Sequence, residues 1–181
     1  MALRKASSYS RKNTRPYTRK SSRKSKSYIK SIPYSKIVKL RMGDQQAFRD
    51  KKHNYVLTMV TEEGVIIRDT ALESGRMLLH KMLEETVPGQ YFMIVRVYPH
   101  HFLRENKVAA GAGADRMNCG MTESFGVVIG RAAIVRAGQE IFFVSCTDDK
   151  AARVARDALV TIKSKMPCRT RILFEKVNLS Q

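Results

Sequence analysis

The sequence predicts an α+β domain: a two-layer sandwich in which a mixed or antiparallel sheet carries two helices. Three observations predict it. Short runs rich in apolar and β-branched residues recur at 37–41, 55–60, 91–98, 131–135, 140–146 and 169–177. Two longer stretches, 70–86 and the one between Thr147 and Pro167, repeat their apolar residues at helical spacing. The two kinds are mixed rather than strictly alternating, with one strand–helix–strand unit at the end. Two parts stand outside this pattern: a basic stretch before residue 37 and a long Gly/Ala-containing stretch at 103–126. The expected division is a basic extension, 1–36, and a globular domain, 37–181, that carries the 103–126 loop.

Taken in order, Ile37-Val-Lys-Leu-Arg41 reads as a short strand with Ile37 and Leu40 as its apolar contacts. Tyr55 to Val60 reads as another. Thr70-Ala-Leu-Glu73 has the form of a capping box, in which Thr accepts from the third helical N–H and Glu reaches back. The helix it opens runs to about Thr86, with Leu72, Leu79, Met82 and Leu83 on one face, and Pro88-Gly89 ends it. The near-continuous apolarity of 91–98 predicts a strand buried on both faces. Residues 131–135 and 140–146 read as a hairpin around Ala137-Gly138. Thr147 or Asp148 caps the second helix, with acids in its first turn as the helix dipole prefers. Ala151, Val154, Ala155, Ala158, Leu159 and Ile162 form its apolar stripe, while Arg153, Arg156, Lys163 and Lys165 lie off it. Pro167 stops it, and 169–177 is the last strand.

The charge is unevenly placed. The chain of 181 residues has a formal charge of +18. Residues 1–52 hold seventeen of its 34 Lys/Arg against Asp44 and Asp50 alone, a surplus of fifteen, which leaves three for the rest. A polycation seeks a polyanion, and nucleic acid is the commonest one; a membrane surface is the rival. Residues 1–35 are too polar to offset the entropy of ordering, so order is expected only on a partner. Tyr9, Tyr17, Tyr28 and Tyr34 lie among the cations. Two readings of them stay open: stacking on unpaired bases, or anchoring the tail to the body. The tail's Ser-rich, acid-poor composition also suits a transit peptide, but Pro16 and Pro33 and the absence of an amphipathic period speak against it. No secretory signal and no run of about 18 apolar residues is present, so no membrane partner is predicted. Cys119, Cys146 and Cys168 are odd in number and widely spaced, which fits a reducing compartment.

A loop as long as 103–126 inside a domain is usually functional or disordered. It opens with Arg104, Glu105 and Lys107, passes through Ala-Ala-Gly-Ala-Gly-Ala, and regains charge at Asp115 and Arg116. Gly111-Ala-Gly-Ala-Asp-Arg invites a nucleotide reading that fails in detail. The third glycine of a dinucleotide fingerprint would fall at Arg116, and no Gly-Lys-Ser/Thr follows. A pliant tract that lets backbone approach a partner closely is the better reading. His100 and His101 are adjacent on a predicted strand and point to opposite sides, so one ion rarely takes both. His80 reads as structural. Cys119 lacks a basic partner at any recognisable spacing, and no acid/base pair of carboxylates stands out. Neither an enzyme nor a cofactor is predicted.

The segment Leu103-Arg-Glu-Asn-Lys, Gly111-Ala-Gly-Ala-Asp-Arg116, Gly120-Met121, Phe125-Gly126 resembles the signature of a large-subunit ribosomal protein family, the universal L sixteen family in its archaeal and eukaryotic L ten-e branch. Arg15-Pro-Tyr-Thr-Arg-Lys20, Ile32-Pro33, Lys36-Ile37, Ala71-Leu-Glu-Ser-Gly-Arg76, Gly138-Gln139 and the final helix and strand are similar to it in order and spacing. The resemblance implies a hammerhead-type α+β body and a cytoplasmic place on the large ribosomal subunit, in contact with rRNA, tRNA and neighbouring ribosomal proteins. It implies a loop of Arg104, Asn106, Lys107, Gly111, Gly113, Asp115 and Arg116 that faces tRNA near the peptidyl-transferase region. It also implies that Arg15, Tyr17, Arg19, Lys20 and Lys36 lie in an rRNA-bound N-terminal region. The chain departs from the family after Met121. Thr122-Glu123-Ser124 and Val127-Val128 stand where basic residues and Gly-Lys-Pro are usual, and the Ser/Lys stretch near 21–27 is longer than usual. A free-standing RNA-binding or chaperone-like protein is the alternative the residues alone leave open.

Overall fold

The apolar runs pair into two antiparallel sheets, not one. In this computed structural model, described over residues 4–11, 29, 31–106 and 126–177, the strands are β1 (Arg41–Gly43), β2 (Tyr55–Thr61), β3 (Val65–Arg68), β4 (Tyr91–Val95), β5 (His101–Glu105), β6 (Val127–Val135), β7 (Glu140–Cys146) and β8 (Thr170–Lys176). The helices are α1 (Gln45–Arg49), α2 (Asp69–Thr86) and α3 (Asp149–Ile162), the last continued by a 3-10 turn at Lys163–Lys165. The larger sheet has the order β1-β4-β7-β2-β8 and the smaller β3-β6-β5. All described pairings are antiparallel. Because β2 separates β7 from β8, those two run parallel and α3 crosses between them.

Helices α2 and α3 pack against one another and contribute to one core with the larger sheet. Leu72, Leu79 and Leu83 of α2, and Ala155, Leu159 and Ile162 of α3, are fully buried against Leu57, Met59, Met93 and Phe142. The apolar stripes read from the sequence are therefore the ones that form the core, with Met82 and Val154 half-buried at its margin. On the larger sheet, Phe48 of α1 stacks on Phe92 at 4.8 Å and meets Phe143 edge-on at 5.8 Å. Strand β4 is buried on both faces as its apolarity predicts.

Several expectations are corrected. The strand expected at 37–41 forms only at Arg41–Gly43. Its predecessors cannot join a ladder because side chains occupy their N–H groups: Asp69 that of Lys36, Ser35 that of Ile37 and Glu73 that of Val38. The expected hairpin of 131–135 and 140–146 does not exist. Strand β6 pairs with β3 and β5, while β7 pairs with β2 and β4. The turn between them docks on the end of β2, where Thr61 Oγ1 donates to Arg136 O at 2.7 Å and Gly138 N donates to Thr61 O at 2.8 Å. The capping box at Thr70 is not formed. Asp69 is already helical and its Oδ1 accepts from Thr70 N at 2.8 Å, while Glu73 turns to Arg76. The first part of the expected loop, Leu103–Glu105, is strand. Short β3 and α1 carried no period long enough to read.

Leu79→Ala removes a fully buried side chain from α2, and a loss of about 2–5 kcal/mol is expected from urea unfolding. Met77→Ala on the exposed side of the same helix (58 % exposed) should stay within about 0.5 kcal/mol.

Candidate nucleic-acid interface

The base of the 103–126 stretch is a β-ladder. Strands β5 and β6 pair from His101–Ala132 to Glu105–Val127, with an irregularity between Leu103 and Arg104. Val127 and Val128 are the β6 residues that close this ladder. Gly126 (φ +74°) is the last residue of the stretch; a Cβ there would lie 2.2 Å from Glu105 O. Only glycine fits that approach.

The beginning of the chain is tied to the same base. Arg4 makes a two-pronged pair with Glu105 and also meets the Tyr9 hydroxyl. Arg68 Nη2 donates to the carbonyls of Arg4 and Lys5, both at 2.7 Å, and Ile66 N donates to Ser10 O at 3.0 Å. Tyr9 packs on a small cluster of Ile66, Leu103 and Ala132 on the smaller sheet. Tyr9 thus makes the contact with the body that the anchoring reading expects. The pair of Arg4 and Glu105, 101 residues apart, had no local signal in the sequence.

Residues 31–40 form a second tied segment, a strap over α2. Arg131 Nε donates to Pro33 O at 2.7 Å. Lys36 N donates to Asp69 Oδ2 at 3.1 Å, Val38 N to Glu73 Oε2 at 3.4 Å, and Leu40 O accepts from Val95 N at 2.8 Å. Burial pushes the Asp69 carboxyl above the usual carboxylate range, against the pull of the Lys36 and Thr70 N–H groups. Hydrogen bonds from Arg76, at 2.5 and 2.7 Å, hold Glu73 below that range. The acids grip backbone and one buried arginine, so Lys36, Lys39 and Arg41 remain exposed. Tyr34 is 89 % exposed.

Of the residues the resemblance singles out, Arg104 is half-buried in β5, Asn106 is exposed just beyond it, and Lys36 is exposed on the strap. Lys107, Gly111, Gly113, Asp115, Arg116, Arg15, Tyr17, Arg19 and Lys20 lie outside the described residues, as do Tyr28 and Cys119.

The remaining candidates are structural. His101 is buried at the start of β5, and burial lowers its pKa. His80 Nδ1 lies 2.8 Å from Tyr91 Oη, which itself donates to Glu84 at 2.6 Å, so the imidazole donates to the tyrosine. Burial raises the thiols of Cys146 and Cys168 to about 12 and about 11, leaving little thiolate. Among the described residues no cluster could hold a metal ion, and no helix is long and apolar enough to cross a membrane.

The body is α+β, its cation surplus lies within residues 1–52, and the two ends of a long stretch are locked together on its smaller sheet. The chain belongs to the ribosomal protein L16p/L10e family, whose model matches residues 14–173; its role is structural and not enzymatic. It is 40 % identical to the "Large ribosomal subunit protein uL16" of Staphylothermus marinus, over 97 % of this chain and 95 % of that one. Proteins of the same description from Methanococcus maripaludis (39 %; 97 % and 96 % covered) and Archaeoglobus fulgidus (37 %; 92 % and 90 % covered) are similarly related.

Glu73→Gln tests the strap. A carboxyl held below its ordinary value contributes stability above the unfolded pKa of about 4.3 and loses it as the pH falls through the folded value. The variant should be less stable by about 2 kcal/mol at pH 7, and the gap should close as the pH falls below about 4. Urea midpoints measured at both pH values check this; an equal gap at both would contradict it.

Proposed function

We propose that the chain is a structural constituent of the large ribosomal subunit that binds large-subunit rRNA through its N-terminal extension and helps position tRNA through the 103–126 stretch. The observation that carries the reading is the surplus of fifteen positive charges in residues 1–52, on a member of a ribosomal protein family whose relatives are described as large-subunit proteins. Residues 1–36 act as the RNA-binding extension and 37–181 as the domain that carries the tRNA-facing stretch. Neighbouring ribosomal proteins are further partners, and the place of action is the cytoplasmic large subunit.

In this reading Arg15, Tyr17, Arg19, Lys20 and Lys36 contact rRNA. Each phosphate that a Lys or Arg neutralises releases counterions, so binding weakens steeply with salt. RNA shape and 2′-hydroxyls, more than base edges, select the docking site. Arg104, Asn106, Lys107, Gly111, Gly113, Asp115 and Arg116 form the tRNA-facing part. Its small residues let backbone come close to tRNA, and its cations meet the phosphates.

The test is sedimentation of the tagged full chain from cell extract through a high-salt sucrose gradient. Stoichiometric recovery with the large subunit is expected; recovery only in light fractions would favour a free RNA-binding protein. Replacing Arg104, Lys107 and Arg116 together by Ala should leave subunit incorporation intact and weaken tRNA binding by about tenfold, on the order of 0.5 kcal/mol for each cation removed. Unchanged tRNA binding and peptide-bond formation would overturn the role of the 103–126 stretch.

A further inference from the structure

Between the strap, β1 and α2 lies a cleft of about 440 Å³, lined by Lys39, Arg41, Met42, Arg76 and His80. Three of these side chains carry fixed positive charge. Arg76 is buried, at 8 % exposure. Its Nε and Nη2 donate to Glu73, and its Nη1 lies 2.9 Å from Met42 Sδ. A guanidinium has five N–H groups, so one hydrogen on each terminal nitrogen is left without an acceptor among the described residues. Glu73 fixes the plane of that guanidinium and offsets one of the three charges. Lys39 and Arg41 stand at the rim, exposed, with no ion pair among the described residues.

We propose that this cleft docks a phosphate of the RNA backbone, with Arg76 as its fixed floor and Lys39 and Arg41 as its mobile rim donors. A planar guanidinium with a preset orientation is suited to two phosphate oxygens, and lysine adds a point charge. The choice of RNA rests on the large-subunit reading above and on continuity. The strap that brings Lys39 to the cleft also carries Lys36, leads directly into Arg41 at the start of β1, and is the direct continuation in sequence of the polycationic extension. A nucleic-acid strand that follows the extension reaches the cleft next.

The test uses the full chain and large-subunit rRNA, with affinity followed across a KCl series. Lys39→Gln with Arg41→Gln should weaken binding about tenfold and reduce the salt slope by about two. Lys150→Gln with Arg156→Gln removes the same charge from the exposed side of α3 and should change affinity less than about twofold if the site is local. The charge-keeping pair Lys39→Arg with Arg41→Lys should retain most of the affinity. Equal losses in the two Gln pairs, or no loss in either, would overturn the cleft while leaving the large-subunit reading intact. A wild-type chain that binds no large-subunit rRNA would overturn both. Saturable binding of inorganic phosphate alone, with RNA affinity unchanged in Lys39→Gln/Arg41→Gln, would assign the cleft to free phosphate and overturn the RNA site.

Discussion

The structure depends on how its few acids hold a strongly cationic chain. Had the acids near the N-terminal region paired with its exposed cations, they would have cancelled the charge that the region has to present. Instead Asp69 and Glu73 accept from the backbone N–H groups of Lys36 and Val38. Glu105 takes the one arginine, Arg4, that lies at the start of the described chain. Carboxylate-to-amide hydrogen bonds are charge-assisted and strong, and they fix the path of the segment without consuming a lysine. Glu73 then holds Arg76 as well, so one acid orders both the strap and the floor of the cleft.

The division into two sheets gives the body separate tasks for its faces. The larger sheet and the α2–α3 pair bury the core and set the rigid frame. The smaller sheet carries the ladder from which the 103–126 stretch leaves and to which it returns. Short links join it to the frame. Strand β3 feeds directly into α2, and the turn after β6 docks on Thr61 at the end of β2. Residues 4–11 cover the smaller sheet through Tyr9 and the Ser10–Ile66 hydrogen bond. The beginning of the described chain, the ladder and the frame are thereby in direct contact.

Much of this was legible in the sequence. The apolar stripes of α2 and α3, buried β4, and the two strands 55–60 and 169–177 follow from periodicity and run length, because burial imposes those patterns directly. The concentration of cations before residue 53 needs only counting. What was not legible depends on contacts distant in sequence. Nothing local tells that Glu105 meets Arg4 or that Glu73 leaves its capping role for Arg76 and Val38. Two apolar runs around Ala137-Gly138 look like a hairpin whether they pair with each other or with separate sheets; the docking of their turn on Thr61 decides it. The strand expected at 37–41 forms only from Arg41 on because Ser35 claims the N–H of Ile37 and Glu73, 35 residues on, claims that of Val38. Of the residues singled out for RNA, Lys36, Arg104 and Asn106 are in described structure, and the cleft between the strap, β1 and α2 adds Lys39, Arg41 and Arg76.

The most direct measurement of the central claim is native-state hydrogen exchange of the free chain, read residue by residue. If acid side chains hold the strap without any RNA, the amides of Lys36 and Val38 are protected well above the unstructured rate. Asp69→Ala then releases Lys36 while amides in β2 and β7 keep their protection. Exchange of Lys36 and Val38 at the unstructured rate in the wild-type protein would contradict the account, because the strap would then owe its path to a partner and not to Asp69 and Glu73.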